Sequence, residues 1–422
     1  MLMNTGKKAK IAVLYAPGAT SVLTIKAASI NVCDLVFLYD QDCPENDLKQ
    51  VDLIRDYISV YDISNKSIDE VTSILINEDV QGILTFSEYK LRMTSILSEK
   101  LGLIGNPYDV VLDLTDKLRQ REILKNNNIE NIKYAVINRE NYKQIAEQIG
   151  FPSILKPREG AGSKWTQKVC NINELDTFIN SFPENIEYVF EEYLEGAKAF
   201  QNEYYGDYVS VESIHRHGDS KQICITAKTP LTDKYAETGM FIPSPFSDEL
   251  NLKILELEKK AIDALGVKEG ITHTEIKLTD YGPRIIEVNG RLGGYVSEII
   301  KRGMSIDLVK IALKLSIGES LDSVNFDIEY SDGVYYQIFI QADLAQDATI
   351  KKLNGIDEVS EFDDVTYVEL RKNPGDFLSY RFGTENNIGI VYGESDSYKK
   401  FKDVIDTIRD TINIEYEYEE CV

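Results

Sequence analysis

One run near the middle of the chain, HTEIKLTDYGPRIIEVNGRLGG at residues 273–294, restricts most strongly what this sequence can fold into. Successive residues of a β-strand point to opposite faces of the sheet, so residues two apart share a face. If IIEVNGR forms a strand, Glu287, Asn289 and Arg291 therefore lie on one surface. Glu275, earlier in the run, adds a second carboxylate. The run predicts a sheet surface that carries two acids, one amide and one guanidinium.

This set of side chains is typical of a site that holds a phosphorylated ligand and a metal ion. Carboxylate and amide oxygens are the ligands that Mg²⁺ prefers alongside substrate phosphates, which makes Glu275, Glu287 and Asn289 candidate metal ligands. A guanidinium beside them, that of Arg291, suits a phosphate or a developing oxyanion. The pattern predicts a place where magnesium and a nucleotide are held for phosphoryl transfer. His273, two residues before Glu275, is expected either to lie on the same strand face as that acid or to be a structural histidine.

The N-terminal part of the chain alternates short apolar runs with helix-like stretches. KIAVLYAPG at 10–18, DLVFLYD at 34–40 and VQGILTFSE at 80–88 are typical of buried strands. Strands that alternate with helices favour a parallel sheet covered on both faces. We therefore expect an N-terminal α/β domain over residues 1–115.

The chain has 422 residues, too many for one ordinary core, so several domains are expected. Residues 116–198 mix helices with the runs FPSILKP and EYVFEEYL. Residues 199–318 are rich in strand patterns and contain the opening run. Residues 319–422 mix strands with a closing helix, SYKKFKDVIDTIRDTI. The expected fold class is a multidomain combination of α/β and α+β.

Two lysines are candidates for contacts with phosphate. Lys156 ends a predicted strand and precedes the loop REGAGSKWT, whose backbone N–H groups can cover phosphate oxygens. The loop matches neither the P-loop nor the dinucleotide pattern, and a surface turn with an incidental lysine is the alternative. Lys117 begins a predicted helix behind a capping Thr115 or Asp116, where an exposed helix residue is the alternative.

Three further segments carry weaker signals. VFEEYLEG, with Glu191 and Glu192, is compatible with recognition of an adenine edge, although acids at strand ends are common. Glu237, in the irregular segment ETGMFIPSPF, is a candidate ligand for a substrate ammonium or a simple cap. His215 and His217 share a strand face, but no cysteine or third histidine stands at zinc-ligand spacing.

Composition bears on partners and compartment. Lys plus Arg number 46 against 70 Asp plus Glu, a formal charge of −24, which argues against nucleic acid or an anionic membrane as the main partner. Five scattered cysteines suit a reducing cytoplasm. The first apolar run is broken by Pro17-Gly18, which favours a strand over a signal peptide, and no segment has the length of a membrane span. We expect a cytoplasmic protein.

The order of these motifs along the chain resembles the ATP-grasp superfamily. Lys117 and Lys156 come first, then the glycine loop and EEYLEG, and finally the run with Glu275 and Glu287. The resemblance covers nearly the whole chain. The ETG…PSPF segment and the NGRLGG run make the sequence most similar to bacterial L-amino acid ligases, which join two amino acids into a dipeptide.

The resemblance implies an ATP-grasp fold and assigns roles to matched positions. A Rossmann-like pre-ATP-grasp domain at 1–115 would precede a lid at 116–198, a central part with the metal site at 199–318 and an α+β domain at 319–422. ATP would contact both lysines, the glycine loop and three residues that border the adenine. Of these three residues, Tyr193 and Leu194 would act through their backbone. The implied ATP contacts are Lys117, Lys156, Glu159, Gly160, Gly162, Ser163, Glu191, Tyr193 and Leu194.

The same resemblance assigns chemistry and substrate binding. Arg291 and Lys156 would be catalytic, and magnesium, as two ions with manganese able to substitute, would bind at Glu275, Glu287 and Asn289. The implied substrate residues are Glu237, His273, Gly294 and Tyr295. A carboxylate would attack the γ-phosphate of ATP to give an acyl phosphate, which the amine of a second amino acid would then attack.

Other functions stay open at this point. The partners expected are small-molecule amino acids, and a homodimer is compatible with the resemblance. Another ATP-grasp carboxylate–amine or carboxylate–thiol ligase, including one of the biotin-carboxylase type, fits the same motifs. A nucleotide-binding module without turnover is a third alternative, and the presence of both glutamates, Asn289 and both lysines argues against it.

Overall fold

The computed structural model describes residues 8–183, 185–200, 202–322, 324–326 and 333–418. These residues form four sheets: a four-stranded N-terminal sheet, a four-stranded sheet over the cleft, a central eight-stranded sheet and a three-stranded sheet near the C-terminus. The site lies where the second and third of these sheets face each other.

The N-terminal sheet is parallel, with strand order β3-β2-β1-β4. Ile11 and Val13 pack into a core on one face, and Ala12 and Leu14 pack into another core on the opposite face. The predicted covering of both faces is thus confirmed, and β3 is a strand that the sequence did not predict. The elements are β1 Ala9–Tyr15, α1 Val22–Ser29, β2 Cys33–Tyr39, α2 Glu45–Ile54, β3 Ser59–Asp62, α3 Ile68–Glu78, β4 Gly82–Leu84, α4 Leu91–Leu101 and α5 Tyr108–Thr115.

The second sheet is antiparallel, with order β5-β8-β6-β7, and we call it the lid sheet. Leu155, Leu175 and Phe190 are fully buried in its core. The loop at residues 158–166, which we call the flap, joins two strands that pair directly, β6 and β7. The elements are α6 Lys117–Asn126, β5 Tyr134–Ile137, α7 Tyr142–Ile149, β6 Ser153–Pro157, β7 Gln167–Val169, α8 Ile172–Ser181 and β8 Tyr188–Glu192.

The central sheet is antiparallel, with order β13-β12-β9-β10-β11-β14-β18-β16. Three of its strands come from the region beyond residue 318, so one sheet crosses the predicted boundary between the last two domains. The boundary itself stays a prediction. The elements up to the last of these strands are β9 Tyr208–Arg216, β10 Asp219–Lys228, β11 Gly239–Ile242, α9 Asp248–Leu265, β12 Gly270–Thr279, β13 Gly282–Asn289, α10 Val296–Met304, α11 Leu308–Ser316, β14 Val334–Gln341, β16 Val365–Leu370 and β18 Asn387–Ser395.

The smallest sheet, β17-β15-β19, packs beside the C-terminal helix. Its core includes Ala348, Ile350 and Leu378, all essentially buried. The remaining elements are β15 Ala348–Asn354, α12 Ile356–Ser360, β17 Phe377–Leu378, α13 Tyr398–Thr411 and β19 Asn413–Tyr418, with 3₁₀ turns at Glu88–Lys90, Lys198–Phe200 and Gly383–Asn386. No helix among the described residues combines the length and the apolar character needed to cross a membrane.

The strand predicted for IIEVNGR ends earlier than expected. β13 stops at Asn289, so Arg291 lies in the loop that follows and is not a member of the strand face. The chain departs at Gly290, where a Cβ would come within 2.8 Å of the side chain of Leu114 on α5. This close approach of backbone to a neighbouring helix carries the chain away from the ladder.

Candidate nucleotide and metal site

A cleft of about 620 Å³ lies between the lid sheet and the edge of the central sheet. Most of the residues singled out from the sequence line it: Lys117, Lys156, Glu159, Gly160, Gly162, Ser163, Glu191, Tyr193, Leu194, Glu237, Glu275, Glu287, Asn289 and Arg291. The three other substrate candidates, His273, Gly294 and Tyr295, are not among the lining residues. The fold therefore brings the candidate nucleotide and metal residues together in one cavity.

Register places the two candidate metal carboxylates side by side. β12 and β13 pair antiparallel, with Glu275 directly opposite Glu287 and His273 opposite Asn289. Like charges directly opposite each other on neighbouring strands repel, so this pair needs a cation nearby. In this structure the ammonium of Lys117 lies 3.1 Å from Glu287 Oε1. The imidazole Nε2 of His273 lies 3.5 Å from Glu275 Oε1.

His273 is buried behind Glu275 and does not reach the cleft. Its Nδ1 lies 2.6 Å from Oε1 of the buried Glu212. Burial alone would lower the pKa of His273, but the charge of Glu212 and the hydrogen bonds to Glu212 and Glu275 outweigh it and raise that pKa to about 9. Burial alone would likewise raise the pKa of Glu275, whereas the protonated His273 holds it at about 2. Both groups are thus charged near neutral pH, and His273 orients a candidate metal ligand.

The donor set at this edge fits magnesium. Two carboxylates and the Asn289 amide oxygen are hard oxygen ligands, and such sites are completed by phosphate oxygens and water. The described residues contain no cluster of three or more His, Cys, Asp or Glu side chains that could hold a metal by themselves. A magnesium ion here would therefore depend on the amide and on the nucleotide as well as on the two acids.

Lys117 is fixed at the start of α6 by a capping network. Asp116 is the N-cap residue, and its carboxylate accepts from the N–H groups of Leu118 and Arg119. The guanidinium of Arg158 pairs with the same carboxylate, Nη2 to Oδ2, at 2.6 Å. The ammonium of Lys117 then reaches across the cleft to donate to the carbonyl of Gly160 in the flap, at 2.7 Å. One lysine thus contacts both the flap and, through Glu287, the β12–β13 hairpin.

Lys156 belongs to a buried network of three charges. Its ammonium pairs with Glu191, whose carboxylate also accepts from Arg121, with Nε to Oε2 at 2.9 Å. Burial alone would raise the pKa of Glu191, but the two cations hold it at about 2. Arg121 also donates to the carbonyls of Ile285 and Ile286 on β13, at 2.8 and 2.7 Å. The Glu191 carboxylate is therefore occupied by two cations.

The candidate adenine border lies where β8 ends. The N–H of Tyr193 donates to the carbonyl of Pro152 at 3.2 Å. The carbonyl of Tyr193 is therefore the backbone group of this residue that could contact a nucleobase. The ammonium of Lys168 lies over the Tyr193 ring, 3.7 Å from the centroid. Leu194 also lines the cleft at this point.

Arg291 is held at the inner end of the cleft by the N-terminal domain. Its Nε lies 3.2 Å from Oε2 of the buried Glu88, and its Nη2 donates to Asn289 Oδ1 at 3.2 Å. Burial raises the pKa of Glu88, although the charge of Arg291 opposes this rise. Despite lying outside the strand, the guanidinium is thus beside the candidate metal ligands.

The predicted substrate residues are dispersed. Glu237 lies at the cleft, but its carboxylate is paired with the buried ammonium of Lys228 at 3.0 Å. The ring of Tyr295 packs edge-to-face on Phe339, with centroids 5.2 Å apart, and under the guanidinium of Arg371 at 4.8 Å. Gly294 has open space where a side chain would project.

The histidine pair outside the cleft does not form a metal site. His215 is fully buried, and its two ring nitrogens contact Ser220 Oγ at 2.8 Å and Thr272 Oγ1 at 2.7 Å. Burial lowers its pKa to about 4. His217 is exposed and pairs with Glu269 at 3.1 Å. His215 is thus a satisfied core histidine.

Four residues that the sequence did not single out belong to the site's support. Arg121 follows Lys117 by one helical turn, a spacing that could have revealed it. Glu88 is the last residue of the predicted strand run at 80–88, and carboxyl ends of parallel strands commonly bear ligand sites. Lys228 carries no local signal, and Thr384 lies in a turn that is far in sequence from the other residues of the site.

The part of the chain that forms this cleft is similar to a known protein family. The family model of the ATP-grasp domain matches residues 149–299, which include the flap, the end of β8 and both candidate metal strands. Residues 149–299 are thus similar to the ATP-grasp domain, and the chain has the ATP-grasp fold.

The relatives include amino acid ligases. Alanine–anticapsin ligase of Bacillus subtilis (strain 168) is 28% identical over 274 residues, 60% of this chain and 58% of that protein. The chain thus matches less than two thirds of that relative's length. The L-arginine-specific L-amino acid ligase of Bacillus subtilis is 24% identical over 322 residues, 74% of each chain. The crystal structure of L-amino acid ligase from Bacillus licheniformis covers 98% of this chain with a TM-score of 0.78 at 19% identity. The predicted fold and the predicted resemblance are both confirmed.

Proposed function

We propose that this protein is an ATP-dependent carboxylate–amine ligase that joins two amino acids into a dipeptide. The observation that carries the proposal is the convergence of Lys117, Lys156, the flap and the Glu275–Glu287 pair on one cleft, with Arg291 at its inner end. The similarity to L-amino acid ligases supports the choice of amino acids as substrates.

Nucleotide binding uses the lid side of the cleft. Lys117 and Lys156 bind phosphate oxygens, and backbone N–H groups of Gly160, Gly162 and Ser163 cover them. Lys117 exchanges its contacts with Gly160 and Glu287 for phosphate when the nucleotide enters. Tyr193 and Leu194 border the adenine through their backbone. Glu191 contributes indirectly, because it holds Lys156 and Arg121 in place.

Magnesium binds at Glu275, Glu287 and Asn289 in this proposal. The ion would supply charge neutralisation and alignment of the phosphate oxygens. Removal of Lys117 from Glu287 frees that carboxylate for a metal, while His273 keeps Glu275 ionised and oriented. Two ions are expected, and manganese is expected to substitute.

The reaction has two steps that share Arg291. The carboxylate of the first amino acid attacks the γ-phosphate, the bond to the β-phosphate oxygen breaks, and an acyl phosphate and ADP result. The amine of the second amino acid then attacks the acyl carbon, the carbon–oxygen bond to phosphate breaks, and dipeptide and phosphate are released. Arg291 neutralises charge on the acyl phosphate and on the tetrahedral intermediate.

Substrate residues are assigned less directly. Glu237, with Lys228 balancing its charge, binds the ammonium of the amino acid that is activated. Gly294 and Tyr295, which follow Arg291 in the chain, are assigned to the side chain of the activated amino acid on the resemblance alone, and His273 acts through Glu275. Phosphoryl transfer needs positioning and charge neutralisation more than covalent help, so this division of labour suffices.

A release assay tests the proposal. The purified chain is incubated with ATP and Mg²⁺ and with each amino acid alone and in pairs, and ADP is measured beside dipeptide by mass spectrometry. We expect ADP release that requires both Mg²⁺ and an amino acid, together with a dipeptide mass. A complete panel without ADP above background would contradict the proposal, and ADP release that requires bicarbonate and biotin would favour the carboxylase alternative.

A further inference from the structure

The flap is docked on a turn that lies outside the region matched by the ATP-grasp family model. The turn comprises residues 381–385, between β17 and β18, and we call it the platform. The N–H of Trp165 donates to the carbonyl of Arg381 at 3.1 Å, and the N–H of Thr384 donates to the carbonyl of Gly162 at 3.1 Å. Two backbone hydrogen bonds therefore join the flap to the C-terminal part of the chain.

Side chains reinforce this docking. The ammonium of Lys164 lies 3.2 Å from Glu385 Oε2 and 5.1 Å from the Phe382 ring centroid. The guanidinium of Arg381 lies 5.7 Å from the ring centroid of Trp165. Lys164 and Glu385 are partly exposed, so this ion pair adds little, and the backbone bonds are the main contacts.

The platform requires a glycine where it meets the flap. Gly383 has a φ of +54°, a conformation that side chains rarely adopt. A Cβ on Gly383 would come within 2.5 Å of the carbonyl oxygen of Gly162 and 3.1 Å of that of Ser163. The flap can approach the platform this closely only because the side chain is missing.

Thr384 also contacts the loop that carries a candidate amino-acid ligand. Its Oγ1 accepts from the backbone N–H of Glu237 at 3.3 Å, and Thr384 itself lines the cleft. Gln341 on β14 donates to the carbonyl of Gly383 at 3.3 Å, which anchors the platform to the central sheet. One residue thus contacts the flap with its backbone and the Glu237 loop with its side chain.

We propose that Thr384 is a positioning residue, which with Gly383 forms the surface on which the flap closes and links that closure to the Glu237 loop. The inference rests on the proposed function, because closure of the flap is needed only if an acyl phosphate must be kept from water. An open flap admits water, which attacks the acyl carbon; the carbon–oxygen bond to phosphate breaks, and free amino acid and phosphate form instead of dipeptide. Loss of the platform contact therefore uncouples ADP release from ligation.

The substitution Thr384→Val tests the side-chain contact with nearly unchanged shape. Loss of one hydrogen bond, at about 1 kcal/mol, is expected to lower the ratio of dipeptide to ADP about fivefold and to raise the KM for the activated amino acid. Thr384→Ser keeps the hydroxyl and is expected to keep the wild-type ratio. A wild-type ratio and KM in Thr384→Val, or equal loss in both variants, would overturn the positioning role.

Gly383→Ala tests the docking surface, and Gly375→Ala is the matched control. Both glycines have positive φ and lie in the C-terminal region, but Gly375 has open space around its Cβ position. The chain has a single tryptophan, Trp165 on the flap, so its fluorescence reports docking without any turnover. We expect increased acrylamide quenching of Trp165 in Gly383→Ala and wild-type quenching in Gly375→Ala.

The activity assay and the Trp165 quenching distinguish a failure of the proposed function from a failure of the platform inference. If the wild type releases no ADP with any amino acid, the proposed function is wrong, while the fluorescence comparison still tests docking. If the wild type is an active ligase and Gly383→Ala quenches and couples as Gly375→Ala does, the platform inference is wrong.

Discussion

The β12–β13 hairpin and the flap face the same cleft from opposite sides, but they are held in place by different forces. On the hairpin, Glu275 and Glu287 are fixed by strand register in an eight-stranded sheet. The flap is a loop with positive φ at Gly160, Gly162, Ser163 and Trp165, and backbone bonds to the platform hold its tip. The difference indicates that strand pairing holds the candidate metal side in place, whereas a few backbone contacts hold the candidate phosphate side.

Two residues join these regions. Lys117 contacts Gly160 of the flap and Glu287 of the hairpin. Arg121 joins β8 of the lid sheet to the carbonyls of β13. Substitutions in the hairpin, in the flap and at the residues that connect them therefore test whether the hairpin is rigid and the flap is movable.

The largest effect is expected from Glu287→Gln on the hairpin. Loss of a metal carboxylate removes several kcal/mol of charge stabilisation, so turnover should fall about 10³-fold or more while the fold remains. ADP release and circular dichroism are the measurements. Glu249→Gln, at an exposed position of α9, is the control and should be neutral. Near-normal turnover in Glu287→Gln would remove the metal-ligand assignment.

Arg121→Leu disrupts the joint between the two regions. Breaking a buried ion pair costs about 3–5 kcal/mol, because the β13 carbonyls lose their donor and Glu191 keeps only Lys156. We expect a large loss of lid stability, measured by urea unfolding followed through Trp165 fluorescence. Arg119→Leu, on the same helix with a partly exposed partner, should cost about 1 kcal/mol or less. Equal losses of unfolding free energy in the two variants would mean that Arg121 does not connect the two regions.

The pH dependence of stability tests the rigid side. His215, on β9 next to β12, has its pKa lowered to about 4 by burial, against about 6.5 in the unfolded chain. Because the unfolded state binds the proton more tightly, stability falls as pH drops from about 6.5 towards 4, by about 2 kcal/mol at pH 5. Thermal unfolding at pH 7 and pH 5 should show a smaller change in His215→Asn than in the wild type. His217→Asn, at an exposed site, should behave as the wild type does.

The smallest effect is expected from Gly162→Ala in the flap. Gly162 has a φ of +70° and open space around its Cβ position, so only backbone strain of about 1 kcal/mol is added. We expect a severalfold increase in the KM for ATP with an unchanged melting temperature, because a flap that opens on its own releases the strain before the sheets unfold. Gly102→Ala, at the end of α4 with a φ of +64°, carries the same strain away from the cleft. It should lower stability slightly and leave the KM unchanged, and the reverse pattern would argue against a movable flap.

Much of the fold and of the candidate site could be predicted from local sequence patterns. Alternation along IIEVN places Glu287 and Asn289 on one face, and the apolar runs of β1, β2 and β4 predicted a parallel sheet. The cap of α6 by Asp116 and the loop after Lys156 also follow from local chemistry. Arg291 was placed on the strand in error, because the close approach of Gly290 to Leu114 is a tertiary contact.

What the sequence determined by itself was therefore most of the candidate nucleotide and metal groups that face the cleft, because strand alternation and helix capping act over a few residues. Only the tertiary structure decided what supports them. Glu191 is occupied by Arg121, Glu237 by Lys228, and the flap docks on a platform near Thr384. The flap contact joins residues that are far apart in sequence, and no local periodicity records a contact that forms only when separate sheets pack together.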